Sequence, residues 1–246
     1  MVRIPEPQWG RHLMTKFLLM SAAAAALIAT PTMAAKNFSP RASGVTGFHG
    51  VKAPAQQIKN PAAALCGTGF GAEYATPDGL IGWNDTSGTG YNTAGGADFT
   101  CTAIKTKVKE VDVYGYNAPN NPEQYNVTIY KNSGKDGTDE PNDAKVKCTY
   151  TGVSAEGGGS YPVHTLSHIK LPTACKLKAG HYWATVQNND SSGPWYWEVT
   201  STTAGARADW DDVNNLFGSG CTNWSNDRYL IDCLGYSYQD FMLELH

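Results

Sequence analysis

Charge is scarce in this sequence, and the familiar signatures of catalysis are missing. Charged residues make up 17% of the 246 positions and the formal net charge is −3. No basic stripe is present, which argues against nucleic acid or an anionic membrane surface as partner. There is no phosphate-cradling loop and no dinucleotide fingerprint. There is no nucleophile elbow either, since Ser219 sits in Gly218-Ser219-Gly220, a loop ahead of Cys221. No CxxC spacing occurs, and no acidic stretch follows the EF-hand pattern. Amphipathic helical runs are also lacking, so a parallel sheet would have no crossovers to build with.

What is present begins with an export signal. From Met14 the chain reads Met-Thr-Lys, then an apolar, alanine-rich run from Phe17 to Ile28, then Thr30-Pro31-Thr32-Met33-Ala34-Ala35. A short basic start, an apolar stretch of about a dozen residues and a small-x-small site describe a signal peptide, with cleavage expected before Ala35. The run is shorter than the roughly 20 residues a membrane span needs. Met1 to Leu13 makes a poor leader, and Met14 is the expected start. The expected organisation is a signal peptide over 1–34, a flexible Pro- and Gly-containing lead-in over 35–64, and one domain over 65–246. Removing residues 1–34 takes Arg3, Arg11, Lys16 and Glu6 from the 19 basic and 22 acidic side chains, leaving net −5.

Six cysteines remain: Cys66, Cys101, Cys148, Cys175, Cys221 and Cys233. An even number in an exported chain reads as three disulfides, and six cysteines allow 15 connectivities. Sequence does not choose among them. The sequential pairing 66–101, 148–175 and 221–233 closes the shortest loops and is the one expected. With every thiol oxidised, no cysteine nucleophile is left.

The remaining pattern is β. Val111 and Val113 alternate with Glu110 and Asp112 within Val108 to Tyr116. Val127 and Ile129 alternate with Asn126 and Thr128. Val146, Cys148 and Tyr150 share a face, as do Tyr182, Ala184 and Val186, and Phe241, Leu243 and Leu245 close the chain. Period-two alternation of this length is the strand signature. Turn clusters such as Asn117 to Pro122, Asn132-Ser133-Gly134 and Asp190 to Pro194 separate these runs. Many short strands with strong turns predict an all-β fold, a two-sheet antiparallel sandwich of jelly-roll type stapled by disulfides.

Three segments, Val111 to Tyr116, Tyr125 to Gly134 and Leu177-Lys178-Ala179-Gly180-His181-Tyr182-Trp183, resemble secreted bacterial β-sandwich modules. In those modules a strand ends in an L-x-A-G-x-Y-W turn. The chain is thus similar to pre-peptidase C-terminal and carbohydrate-binding-like jelly rolls over roughly residues 98 to 246. The resemblance implies a sandwich and carries over no catalytic residue.

Candidate ligand-binding residues come from the aromatics, which include 7 Trp and 13 Tyr. Trp195 and Trp197 are two apart, so on a strand they point the same way, about 7 Å apart. A flat Trp pair flanked by polar groups suits a sugar ring. Trp210 and Asp209 are the expected companions, with Asn188, Asn189 and Asp190 nearby. The competing reading puts these rings in a core that has few leucines.

The acidic run Asp209-Trp210-Asp211-Asp212 and the loop from Asp136 to Asp143 hint at calcium. The same residues also favour solvated turns for local hydrogen-bonding reasons, and no metal ligand is assigned. Glu110 and Asp112 share a strand face, where two acids would not bracket a glycosidic bond from both sides. His164 and His168 have a helical zinc spacing, but on a strand they would lie about 13 Å apart, so both read as surface or turn histidines. His181, at a strand entrance, reads as structural.

The function expected from all this is a secreted or periplasmic, non-catalytic binding or surface-associated module. Its expected partner is a glycan or an envelope component, and it has no membrane span after cleavage. An extracellular polysaccharide hydrolase using Asp209, Asp211 and Glu198, and a structural envelope protein, are the alternatives.

Overall fold

The computed structural model describes residues 41–43, 65–69, 78–117, 124–133, 139–157, 165–191, 193–200, 205–224 and 240–246. The expected signal peptide and most of the expected lead-in lie outside them. Every regular element among the described residues is a strand, and no helix among them is long and apolar enough to cross a membrane.

The strands are β1 (Arg41–Ser43), β2 (Cys66–Gly69), β3 (Asp78–Ile81), β4 (Trp83–Asp85) and β5 (Asn92–Cys101). The long central ones follow: β6 (Thr106–Asn117), β7 (Tyr125–Asn132), β8 (Pro141–Val153), β9 (Ala155–Gly157), β10 (Thr165–Leu177) and β11 (Gly180–Asp190). The last are β12 (Trp195–Thr200), β13 (Asp209–Asp212), β14 (Asp240–Phe241) and β15 (Leu243–Leu245).

They form two sheets. The first runs β1-β3-β12-β6-β10-β9, with β14 on β12 and β15 bridging β2 and β6. The second runs β13-β5-β4-β11-β7-β8. Pairing is antiparallel except between β4 and β11, where Trp83 to Asp85 run parallel to Asn188 to Asp190. The expected two-sheet sandwich is therefore present. One segment of the expected lead-in is a strand, since Arg41 to Ser43 pair with Leu80 to Asp78 at the edge of the first sheet.

The alternation seen in the sequence sorts the faces. Val108, Val111 and Val113 of the first sheet, and Val127, Ile129, Ala184 and Val186 of the second, are fully buried in one core. Few leucines are available, so aromatic rings fill the space between the sheets. Trp195 meets Tyr125 of the other sheet edge-on at 5.5 Å, and Trp197 stacks on Phe241 at 4.5 Å. Two glycines make room for these rings. A Cβ on Gly95 would come within 2.6 Å of the Phe241 ring, and one on Gly115 within 2.8 Å of Trp195.

Both described disulfides cross from sheet to sheet. Cys66 on β2 joins Cys101 on β5, and Cys148 on β8 joins Cys175 on β10. Cys221 is also disulfide-bonded, and its expected partner Cys233 lies outside the described residues. Oxidised cysteines throughout the described chain indicate folding in an oxidising compartment.

The Trp197 indole is fully buried and donates from Nε1 to the Met242 carbonyl at 2.8 Å. Trp197→Ala is therefore expected to cost about 3–5 kcal/mol of folding stability, read as the shift in a urea unfolding curve. A loss under about 1 kcal/mol, the scale of an ordinary substitution, would mean that the ring is not part of the core.

Candidate functional site

The tryptophans offered as candidates for a ligand platform are inside, as the core-packing reading had them. Trp195 is 1% exposed and Trp197 and Trp210 are wholly buried, while Asp209 is 3% exposed. The reason is the position of their strands. All six residues of β12 are buried, because β3, β6 and β14 flank it. The Trp210 Nε1 is spent on the Ile81 carbonyl at 3.0 Å. The amides expected beside a sugar are occupied as well. Asn188 donates to the Gly193 carbonyl and accepts from the Trp195 backbone N–H, and the Asn189 carbonyl oxygen accepts from Asn84 and Asn126. Sequence periodicity placed Trp195 and Trp197 on one face correctly, and that face is the core one.

The acids of β13 serve the fold. Asp212 caps the turn after its strand, accepting from the backbone N–H groups of Leu216 and Phe217 at 3.0 Å each and from the Ser219 hydroxyl. Asp139 accepts from Asn132, and 136–138 of the same expected calcium loop lie outside the described residues. Asp209, Asp211 and Glu198, the acids of the hydrolase reading, are buried at 3%, 6% and 2% exposure. Burial raises Asp209 well above its usual range, with Asp211, Glu140 and Asp143 adding like-charge repulsion. Burial likewise lifts Asp211 to about 7, helped by Asp143 and Asp212.

His181 does take the structural role expected. Its Nε2 lies 2.5 Å from Asp98, a buried carboxylate, and this pairing is the main cause of its raised pKa. His164 lies outside the described residues.

His168 is a different matter. It sits within β10, directly opposite Asp112 of β6, and so belongs to a strand rather than to a turn. Its Nδ1 is 3.0 Å from Asp112 Oδ1 and 3.5 Å from Glu110 Oε1. Among the described residues, Glu110, Asp112 and His168 are the group whose potential metal-ligating atoms all fall within 4.8 Å of one another. From the other side of β6, Glu244 of β15 stands opposite Asp112. His246 follows it, with Nε2 at 3.5 Å from Asp112 Oδ2 and 3.6 Å from Glu244 Oε2.

Three adjacent strands thus converge on one carboxylate. Asp112 is 1% exposed, while His168 and Glu110 reach solvent at 36% and 28% side-chain exposure. Burial raises Asp112 to about 6, with His168 pulling the other way. Neither Asp112 Oδ2 nor His246 Nε2 has a hydrogen-bond partner. Lys170, opposite Glu110, is engaged at the rim by Glu156 at 2.7 Å.

The backbone shows why the acids point outward. The N–H groups of Lys109 and Glu110 both donate to the carbonyl of His246, so two residues of β6 oppose one on the neighbouring chain segment. That is a β-bulge. It reverses the phase of the strand, letting Val108, Val111 and Val113 all face the core. Sequence reasoning found the shared face of Glu110 and Asp112. It missed His246 and discarded His168, because it sought His168's partner along the same strand when the partners are on the next one. The signal available was the pair of acids on a valine-rich central strand.

No family model, curated protein or solved structure matches the chain.

One prediction comes from the β13 acids. An unfolded Asp titrates near 3.9, and folded Asp211 near 7. Between about pH 4 and about 7 the folded state keeps a proton that the unfolded chain has released, so stability falls as pH rises through this window. Thermal melts should show a higher Tm at pH 5.5 than at pH 8. Asp211→Asn, which fixes the uncharged form, should flatten part of that slope. A variant profile running parallel to that of the unmodified protein would count against the assignment.

Proposed function

We propose that the protein is an exported, non-catalytic β-sandwich module whose binding face is the outer surface of the first sheet around Asp112. Glu110, His168 and His246 border that carboxylate, and it works in the periplasm or outside the cell. The observation that carries this reading is the convergence of Glu110, Asp112 and His168 within 4.8 Å on a buried carboxylate whose other oxygen, Oδ2, facing His246 at 3.5 Å, has no hydrogen bond. A buried polar atom left without a hydrogen bond costs about 1–3 kcal/mol, and such a cost is what a ligand-ready site carries in its free state. Export is supported by the signal-like segment before Ala35 and by the disulfides. A glycan or an envelope component remains the expected class of macromolecular partner, now met by this face in place of the buried tryptophans.

The test is a side-by-side screen of the exported chain and a Glu110→Gln/His168→Gln variant on a glycan array and against envelope extract. Binding by the unmodified chain should drop at least about 10-fold in the variant while its Tm stays within a few degrees, as expected for side chains partly open to solvent. A ligand held equally by both proteins would place the binding face elsewhere.

A further inference from the structure

We propose that Glu110, Asp112 and His168 form a three-ligand site for a borderline divalent transition-metal ion, with zinc as the reference case. This rests on the reading of the β6–β10–β15 surface as the binding face, and names what that face holds first.

The chemistry of the donors selects the ion. Calcium and magnesium take all-oxygen shells, and calcium needs six to eight ligands. A set of two carboxylates and an imidazole suits zinc and its neighbours in the first transition row. The spacing agrees. Tetrahedral ligands at zinc distances of about 2.0–2.1 Å stand roughly 3.3–3.4 Å from one another. His168 Nδ1 lies 3.0 Å from Asp112 Oδ1 and 3.5 Å from Glu110 Oε1, so these two pairs are close to edges of that tetrahedron, and the third pair, Glu110 with Asp112, lies within 4.8 Å.

Burial supplies an independent observation. Asp112 is 1% exposed, and its Oδ2 has no hydrogen-bond partner. A carboxylate taken out of water is costly to keep charged, and a cation bound at Oδ1, the oxygen that faces His168, offsets the cost of that charge. His246 lies 3.5 Å from that second oxygen, where it would orient the ligating carboxylate from behind, as outer partners of metal ligands do. Its backbone is fixed, because its N–H donates to the Glu110 carbonyl at 2.9 Å and its carbonyl accepts from Glu110 at 3.0 Å. The site is held by three strands of one sheet and not by a loop, which gives the precision a metal centre needs.

Three protein ligands leave the fourth tetrahedral position open. His168 and Glu110 are the partly exposed members, so that position faces solvent, where water or a donor atom from a partner would complete the shell.

Isothermal titration of the exported, disulfide-bonded chain with Zn²⁺, after chelator treatment and desalting, tests the proposal, with Ca²⁺ titrated in parallel. One Zn²⁺ per chain is expected, with little or no response to Ca²⁺. Co²⁺ in place of Zn²⁺ should give the visible bands of a four-coordinate site. Asp112→Asn and Glu110→Gln should each weaken Zn²⁺ at least about 10-fold, and Lys147→Gln, exposed on β8 of the other sheet, should leave it unchanged. Glu110→Gln keeps the test decisive should Asp112→Asn destabilise the fold. Absence of Zn²⁺ binding, stoichiometric binding undiminished in both ligand variants, or a preference for Ca²⁺ would each overturn the proposal. If Zn²⁺ fails while another ligand is lost in the Glu110→Gln/His168→Gln screen, the binding face stands and the metal falls. If both fail, the reading of the face falls with it.

Discussion

Two covalent ties fix the distance and register of the sheets, and the rest of the molecule is arranged around that constraint. Cys66–Cys101 joins β2 to β5 and Cys148–Cys175 joins β8 to β10, so each bridge begins in one sheet and ends in the other. Sheets of a sandwich are otherwise held by side-chain packing alone across a gap of about 10 Å. The bridges also shrink the unfolded ensemble, and loops of 35 and 27 residues make each worth about 3–4 kcal/mol in the chain-entropy view. With the gap fixed, aromatic rings can fill it without many leucines. Tyr125 against Trp195 spans the two sheets, and Trp197 against Phe241 packs two elements of the first.

The fold was legible wherever a long strand had one wet face. The alternation around β6, β7 and β11 survives in the structure with boundaries extended by a few residues at most of the ends. In β8, by contrast, a register shift between Val146 and Cys148 takes Val146 off the face it was expected to share with Cys148 and Tyr150 and leaves it exposed. Strands buried on both faces gave no such signal. In β12 every position is buried, so the period-two argument could pair Trp195 with Trp197 but had no polar alternation to say which side was solvent. The same holds for β13, where Asp209 to Asp212 read as a polar turn yet form a strand buried against β5. Short edge pairings such as β1 with β3 depend on what the sheet offers them and leave almost no local mark.

The candidate site was half legible for a related reason. Glu110 and Asp112 are neighbours on one strand, so spacing finds them. His168 is 56 positions from Asp112, and it reaches the carboxylate only through the β6–β10 register. His246 arrives through β15, on the opposite side of the same strand. Register between distant strands is set by core packing and turns, and neither can be summed from one sequence window.

Two of the buried acids, Asp211 and Asp112, show how surroundings decide what a carboxylate is for. Around Asp211, burial first and then the like charges of Asp143 and Asp212 favour the protonated form. Around Asp112 the neighbours are two imidazoles and a partly exposed glutamate, donors of the kinds that a metal ion collects. What brings them together is the bulge at Lys109–Glu110. Without the extra residue, strict alternation from buried Val108 would turn Glu110 and Asp112 inward and Val111 and Val113 outward. A sandwich core cannot hold two unpaired acids while exposing two valines. The irregularity that lets β6 pack is therefore also the one that aims its acids at His168 and His246, and fold and site have a common structural origin.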